Sequence, residues 1–318
     1  MKIIALAELP TAINPTNYVV EDLVFERISK IKMQDYSKVL AIFTKVSIKL
    51  DNNLIKKFPN LIAIGIPATG IDMVDKEFCD EQNIKIISLR EHEFKSTLES
   101  FSSTSEIFFW HLLSLVRNCQ KASEAVSFGN WNRNKFIGHN LRNLNLGIVG
   151  FGRLGKQISC LGNSLGMNVR FYDIDKTKKP NDSITRCNSL EELFSKSNVI
   201  SINVSVDKSN QKFINSDLIR EVKLKPFYII NTSRGSVIDE TAIINGLSKG
   251  KIDGYGADVL EGEGSFDSEW LIRNPLWQAL TTKHYNITLT PHIGGATFQN
   301  ILFSEDFIFR KLVSTLYI

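Results

Sequence analysis

The chain lacks the features that mark several large classes of protein. It has only four cysteines in 318 residues. Cys79, Cys119, Cys160 and Cys187 lie far apart and form no C-x-x-C pair, which argues against a metal site or a disulfide framework. They read as buried thiols of a reducing cytoplasm. No apolar run approaches the roughly 20 residues of a membrane span. The opening "MKIIALAEL" has one lysine and a brief apolar run that Glu8 ends, too short for a secretory signal and better read as a first β-strand. Charge of one sign is lacking as well, since 38 Lys and Arg against 34 Asp and Glu leave +4, well interspersed. The basic run Lys176-Thr177-Lys178-Lys179 has no aromatic residues woven into it, so no nucleic-acid surface is expected. Repeats and low-complexity segments are missing too. What remains is a globular composition, 43% hydrophobic and 23% charged, long enough for one large or two ordinary domains.

Strand-like and helix-like stretches alternate along this length, the pattern of parallel β-α units. The first third predicts strands at Ile3–Leu6, Val39–Thr44, Leu61–Ile66 and Ile84–Ser88. Helical spacing covers Val20–Ile31, Asp51–Phe58 and Ile71–Gln82. A long helix is predicted from Ser103 to about Phe128, where Ile107, Trp110, Leu113 and Arg117 recur at helical intervals. Its Phe108-Phe109-Trp110 cluster reads as core or dimer packing. A second series of strands follows at Leu144–Val149, Asn168–Asp173, Asn198–Val204, Phe227–Thr232, Gly254–Val259 and Ile287–Leu289. Helices lie between most of them, one opened by the capping pair Ser189 and Glu192. The count fits a complete doubly wound sheet. After Pro291 a single helix remains, roughly Thr297–Leu316, which must pack on something already built.

The stretch "LNLGIVGFGRLGKQI" (144–158) runs a buried strand into Gly150-x-Gly152-x-x-Gly155 and then a helix. The first glycine makes the tight turn, the second lets a pyrophosphate approach the backbone, and the third lets the helix pack on the strand. The helix opening at Arg153 and Leu154 offers free N–H groups and a positive dipole end to phosphates. Asp173 closes the second strand, 18 residues after the third glycine. A carboxylate there can accept from both ribose hydroxyls and repel a 2′-phosphate, which favours NAD over NADP, while Lys176 and Lys178 nearby act the other way. An ordinary turn residue is the other reading of Asp173. Roughly 145 residues precede this turn, so the cofactor unit does not open the chain.

Three further stretches place a polar residue just past a predicted strand: "NTSRG" (231–235), "GADVLEGE" (256–263) and "TPHIGG" (290–295). Ligands of open α/β sheets bind at that edge. Hydride transfer to a 2-keto acid needs a cation for the substrate's carboxylate and carbonyl, and a proton donor for the developing alkoxide. Arg234 suits the first role through its planar fork. His292 suits the second, and a neighbouring Glu263 would favour its imidazolium. Singly, a surface ion pair, a solvated loop charge and a satisfied loop histidine would account for them.

Together these stretches resemble the D-isomer-specific 2-hydroxyacid dehydrogenase family, over nearly the whole chain. Its members include D-3-phosphoglycerate, D-lactate and glycerate dehydrogenases. The resemblance implies an α/β fold: a Rossmann doubly wound parallel sheet, residues 104–295, inserted in a smaller flavodoxin-like α/β substrate domain made of 1–103 and 296–318. It implies Arg234, Glu263 and His292 as the catalytic set. Asp258 would hold the nicotinamide carboxamide, and Thr232, Ser233, Gly294 and Gly295 would meet the cofactor through their backbone. "IPATGIDMVD" is similar to the family's substrate-carboxylate loop and points to Thr69 and Gly70. NAD as cofactor, a small 2-hydroxy or 2-keto acid as substrate, and a cytoplasmic homodimer are what the family implies. The dimer contacts expected are the Ser103–Phe128 helix and "NWNRNKFIGHNL" (130–141).

Departures bear on the substrate. Members acting on 3-phosphoglycerate often show an R-S-x-T-type run after the second strand; here it reads "AIFTKV", with Ala41 and Phe43 where arginines would stand and Lys45 nearby. Each lost charge-assisted bond forfeits about 1.5–3 kcal/mol, which argues against a phosphorylated substrate. Regulatory phosphoglycerate enzymes carry a further C-terminal domain, which a chain ending at Ile318 is not expected to have. The longer "LREHEFKSTLESFSS" (89–103) would either lengthen a pocket wall or make a surface excursion. The segment with Trp270 and Trp277 reads as a partial lid or as core packing. A D-3-phosphoglycerate dehydrogenase-like enzyme is the alternative within the class. Outside it stands an NAD-sensing co-regulator that binds peptides.

Overall fold

The computed structural model describes all residues except 1, 19–21, 47, 181–182, 208, 264–268, 283–284 and 318. Two compact units divide the chain. One is built from the described parts of Met1–Phe101 and Gly295–Ile318, the other from Ser102–Glu263 and Glu269–Gly294. Among the described residues no helix is long and apolar enough to cross a membrane.

The first unit holds a five-stranded parallel sheet: β1 (Lys2–Leu6), β2 (Leu23–Arg27), β3 (Val39–Phe43), β4 (Ala63–Gly65) and β5 (Lys85–Ile87), in the order β2-β1-β3-β4-β5. That is the flavodoxin-like order. The helix Phe298–Leu316, capped by Thr297 on the Asn300 N–H, returns to cover one face of it. Ile308, Phe309 and Leu312 are fully buried there against Ile4, Ala41, Phe43 and Ala63. The Phe309 ring lies 4.6 Å from that of Phe43. Each such apolar side chain contributes about 1.5–3 kcal/mol by leaving water.

The second unit continues with β6 (Asn145–Val149), β7 (Asn168–Tyr172), β8 (Ile184–Arg186), β9 (Val199–Ile202), β10 (Tyr228–Asn231), β11 (Gly254–Ala257) and β12 (Ile287–Leu289). They form one parallel sheet in the order β12-β11-β10-β9-β6-β7-β8. The order reverses between β6 and β9, the switch point of a doubly wound fold. Nearly continuous burial of these strands reflects helices on both faces.

Several expectations are corrected. Val20–Ile31 is not a helix: its described part holds β2, paired in parallel with β1 from Lys2↔Leu23, and the short 3-10 turn Ile28–Lys30. Asp22 stands at φ 65°, and the "LVFER" run that follows is extended, with Leu23 buried. β8 was not foreseen; its three residues are too few to show a period. The long helix is two helices, Ser103–Val116 and Cys119–Ser127, broken where Asn118 takes φ 54°, a conformation asparagine tolerates. The buried face of the first carries Phe108, Phe109, Leu112 and Leu115, while Trp110, Leu113 and Arg117 point outward. Of the four cysteines only Cys79 and Cys187 are buried; Cys119 and Cys160 are exposed on helix surfaces. Residues 89–101 of the "LREHEFKSTLESFSS" segment belong to the first unit, with Phe94 buried 4.7 Å from the Phe307 ring and Glu93 paired with Lys311; Ser102 and Ser103 belong to the second. Trp270 packs half-buried on the core beside Leu276 and Ala279.

Candidate active site

The glycine turn leaves β6 with Gly150 at φ +88°, where a Cβ would stand 2.6 Å from the Asn203 carbonyl oxygen. Gly155 gives the helix Arg153–Ser164 its approach, since a Cβ would strike the Gly150 carbonyl. Gly152 differs, with no heavy atom within 4 Å of a Cβ and no side chain capping the helix it starts. In any α-helix the first-turn amides have no acceptor within the helix. An open, positively polarised helix end is an anion site.

Asp173 sits half-buried just past β7. One carboxylate oxygen accepts the Phe151 N–H at 2.7 Å and the other the Asp175 N–H at 2.8 Å. The acid therefore ties the second strand to the glycine turn. Arg186, unforeseen on β8, donates to the carbonyls of Asp173 at 2.6 Å and Lys178 at 2.9 Å, fixing the loop beyond. After β10, the N–H and O–H of Ser233 donate to Asn231 Oδ1. Thr232 Oγ1 and Asn203 Oδ1 are buried without a protein partner, at the carboxyl ends of the neighbouring strands β10 and β9. Orphaned buried polar atoms call for a ligand's hydrogen bonds. With the open helix end, they fit a dinucleotide.

The proton-transfer candidates meet at the carboxyl ends of β10, β11 and β12, which are adjacent. His292 Nδ1 lies 3.2 Å from Glu263 Oε1. Burial disfavours its charge, but the hydrogen bond and the charge of Glu263 outweigh that, with Asp258 helping and Arg234 opposing, and the imidazole pKa is raised above its usual value. The backbone at His292 takes φ 54°, a costly conformation for a side-chain-bearing residue and one that collects at functional sites. Arg234 is half-buried and its Nη1 donates to the Ser233 carbonyl at 2.8 Å.

Asp258 is almost fully buried and accepts three donors: Thr290 O–H at 2.6 Å, Ile293 N–H at 2.8 Å and Gly294 N–H at 2.7 Å. Burial raises its pKa, and those hydrogen bonds act against the rise. Its carbonyl oxygen accepts the His292 N–H at 2.8 Å. Gly294 is buried in this knot and Gly295 is exposed beside it. A second clamp was missed from sequence: buried Glu240 accepts the Glu261 N–H at 2.9 Å and the Asn274 amide at 2.8 Å, steadying the loop that leads to Glu263.

Thr69 and Gly70 lie half-buried in the loop after β4 of the other unit. Arg90 donates from Nε to the Thr69 carbonyl at 2.7 Å, bringing a guanidinium beside them. Ala41 and Phe43 are fully buried in the core and offer no charge to a phosphate. Lys45 is bound at 2.9 Å to Glu305, a nearly inaccessible carboxylate that also accepts the Thr11 and Ala12 amides.

Residues 109–294 match the family model described as D-isomer specific 2-hydroxyacid dehydrogenase, NAD binding domain, and residues 13–127 match the catalytic domain of the same family. The chain is 34% identical over 250 residues to a D-3-phosphoglycerate dehydrogenase of Haemophilus influenzae, covering 79% of this chain and 57% of that protein. It thus spans little more than half the length of that relative. A glyoxylate reductase of Thermococcus litoralis is 30% identical over 292 residues, 89% of this chain and 82% of its own. The crystal structure of a D-lactate dehydrogenase from Aquifex aeolicus, complexed with NAD and lactic acid, superposes with a TM-score of 0.78 at 26% identity, covering 99% of this chain and 94% of that one.

Proposed function

The chain belongs to the D-isomer-specific 2-hydroxyacid dehydrogenase family, and from that premise we propose that it interconverts a D-2-hydroxy acid and its 2-keto acid. Its cofactor is NAD, which supplies or accepts the hydride when bound. The observation that carries the reading is the His292–Glu263 pair at 3.2 Å. Because Glu263 occupies Nδ1, Nε2 is the atom left to protonate the carbonyl oxygen in reduction, and to take the proton back in oxidation. Glu263 holds the ring in that orientation and stabilises the imidazolium. Arg234 receives the substrate's carboxylate and carbonyl; in the first unit, Thr69 and Gly70 are the residues assigned to substrate binding. Asp173 takes the ribose hydroxyls, Asp258 the nicotinamide carboxamide, and Thr232, Ser233, Gly294 and Gly295 line the cofactor.

His292→Ala and Arg234→Ala are expected to lower turnover by about 10²-fold or more while NADH binding, read by fluorescence, survives. Near-normal turnover in either would overturn the assignment. A panel of 2-keto acids with NADH, followed by absorbance, identifies the substrate. A D-3-phosphoglycerate-type substrate is the second reading, supported by the name of the Haemophilus relative. Against it, Lys45 is already spent on Glu305. For assembly we assign a homodimer seated on the outer faces of Ser103–Val116 and Cys119–Ser127 and on the 130–141 segment, with Trp110, Phe128, Trp131 and Ile137 exposed along them. Four unpaired cysteines support a reducing cytoplasm as its compartment.

A further inference from the structure

The helix Ser103–Val116 carries a histidine that the chemistry above leaves unused. His111 has no exposed surface. Its Nδ1 lies 2.8 Å from Thr288 Oγ1 and its Nε2 3.0 Å from Thr290 Oγ1, both on or just past β12. Gly256 on β11 makes the room, since a Cβ there would stand 2.8 Å from that of His111. Thr290 is the residue whose hydroxyl donates to Asp258, and Asp258 in turn takes the amides of Ile293 and Gly294 and, through its carbonyl, that of His292. Thr104, two turns earlier on the same helix face, donates to the Gly294 carbonyl at 3.1 Å.

The direction of every proton in this chain follows from its ionised end. Asp258, as a carboxylate, only accepts. Thr290 has one hydroxyl proton and gives it to Asp258, so toward His111 it can only accept. Nε2 of His111 therefore carries the hydrogen, and Nδ1 accepts from the Thr288 hydroxyl. The ring is neutral with both nitrogens satisfied, in keeping with burial, which lowers its pKa to about 4.

We propose that His111 is a positioning residue: through Thr290 and Asp258 it fixes the 290–294 loop and so aims the His292 ring. The inference rests on the reading of His292 as the acid-base group, and it adds a part of the machine that lies behind the loop. The charged groups around His292 are Glu263, Asp258 and Arg234. If the loop shifts, the alignment with Glu263 and Asp258 that favours the imidazolium is lost, and small displacements of this kind are costly to turnover.

The test uses the full chain with His111→Leu, His111→Gln and Thr290→Val. The His292 ring is titrated by NMR, and kcat and KM are measured across pH. In His111→Leu the His292 titration is expected to move down by at least about 0.5, with kcat reduced about tenfold or more. His111→Gln, which keeps a donor for Thr290, should restore most of both, and Thr290→Val should reproduce the loss. Should His111→Leu fail to fold, Thr290→Val carries the same comparison. An unmoved His292 titration in a folded variant overturns the proposal, as does a kcat loss that tracks thermal stability alone. The two readings fail separately: full turnover in His292→Ala would sink the catalytic assignment, while the ring titration would still report whether His111 holds the loop.

Discussion

His292 occupies a backbone conformation that costs free energy, and the neighbours that hold it there also set its charge. Its pKa is raised, so the imidazolium needed for reduction is present below that pKa and lost as pH rises through it. Reduction should therefore fall on the alkaline side and oxidation should rise. In Glu263→Gln the hydrogen-bonded charge that raises the pKa is gone, while burial and Arg234 still lower it. The falling limb of kcat/KM for reduction is expected to move to lower pH, and a pH profile of both proteins checks this; an unmoved limb would assign the limb to another group. At this scale the glycine pattern, Asp173 and the three polar residues past strand ends were legible because each sits at a fixed offset from a recognisable strand. His111 and Glu240 were not. Their partners are Thr290 and Asn274, far away in sequence and dictated only by the packed sheet. A histidine on the same helical face as Phe108, Leu112 and Leu115 was the available signal.

Among the elements, the terminal helix does the most for its unit. Phe309 is fully buried and its ring lies tilted, within 5.6 Å, against those of Tyr18, Phe25 and Phe43. Phe309→Ala is expected to cost about 3–5 kcal/mol, read as a lower denaturation midpoint of the first unit. That helix was visible in the sequence because nineteen residues give periodicity time to show. β2 and β8 were not visible in this way, and the break at Asn118 hid inside an otherwise helical run. The stripe Trp110, Leu113 and Arg117 has true helical spacing yet faces outward. Periodicity reports that a face exists, and only packing decides which face is inside.

For the whole molecule, the exposed aromatic residues ask for a partner surface. Phe128 and Trp131 are more than four-fifths exposed, and apolar area of that kind marks association sites. Trp131→Glu is expected to shift the gel-filtration volume from dimer to monomer; a parent protein already eluting as a monomer would count against the assigned homodimer. The two stretches that build the first unit flank the second in the chain. That order has a consequence for how the chain is made. The sheet begun by residue 2 packs its Ile4, Ala41, Phe43 and Ala63 face against Ile308, Phe309 and Leu312 of the last helix, beside Leu89 and Phe94. Roughly 200 residues of the second unit are translated in between, which at about 5–20 residues per second takes on the order of 10–40 s. During that interval the nucleotide-binding unit can complete itself on the ribosome while the earlier sheet waits with its apolar face only partly covered. The first domain started is the last one finished, and its unfinished face is what a chaperone would meet.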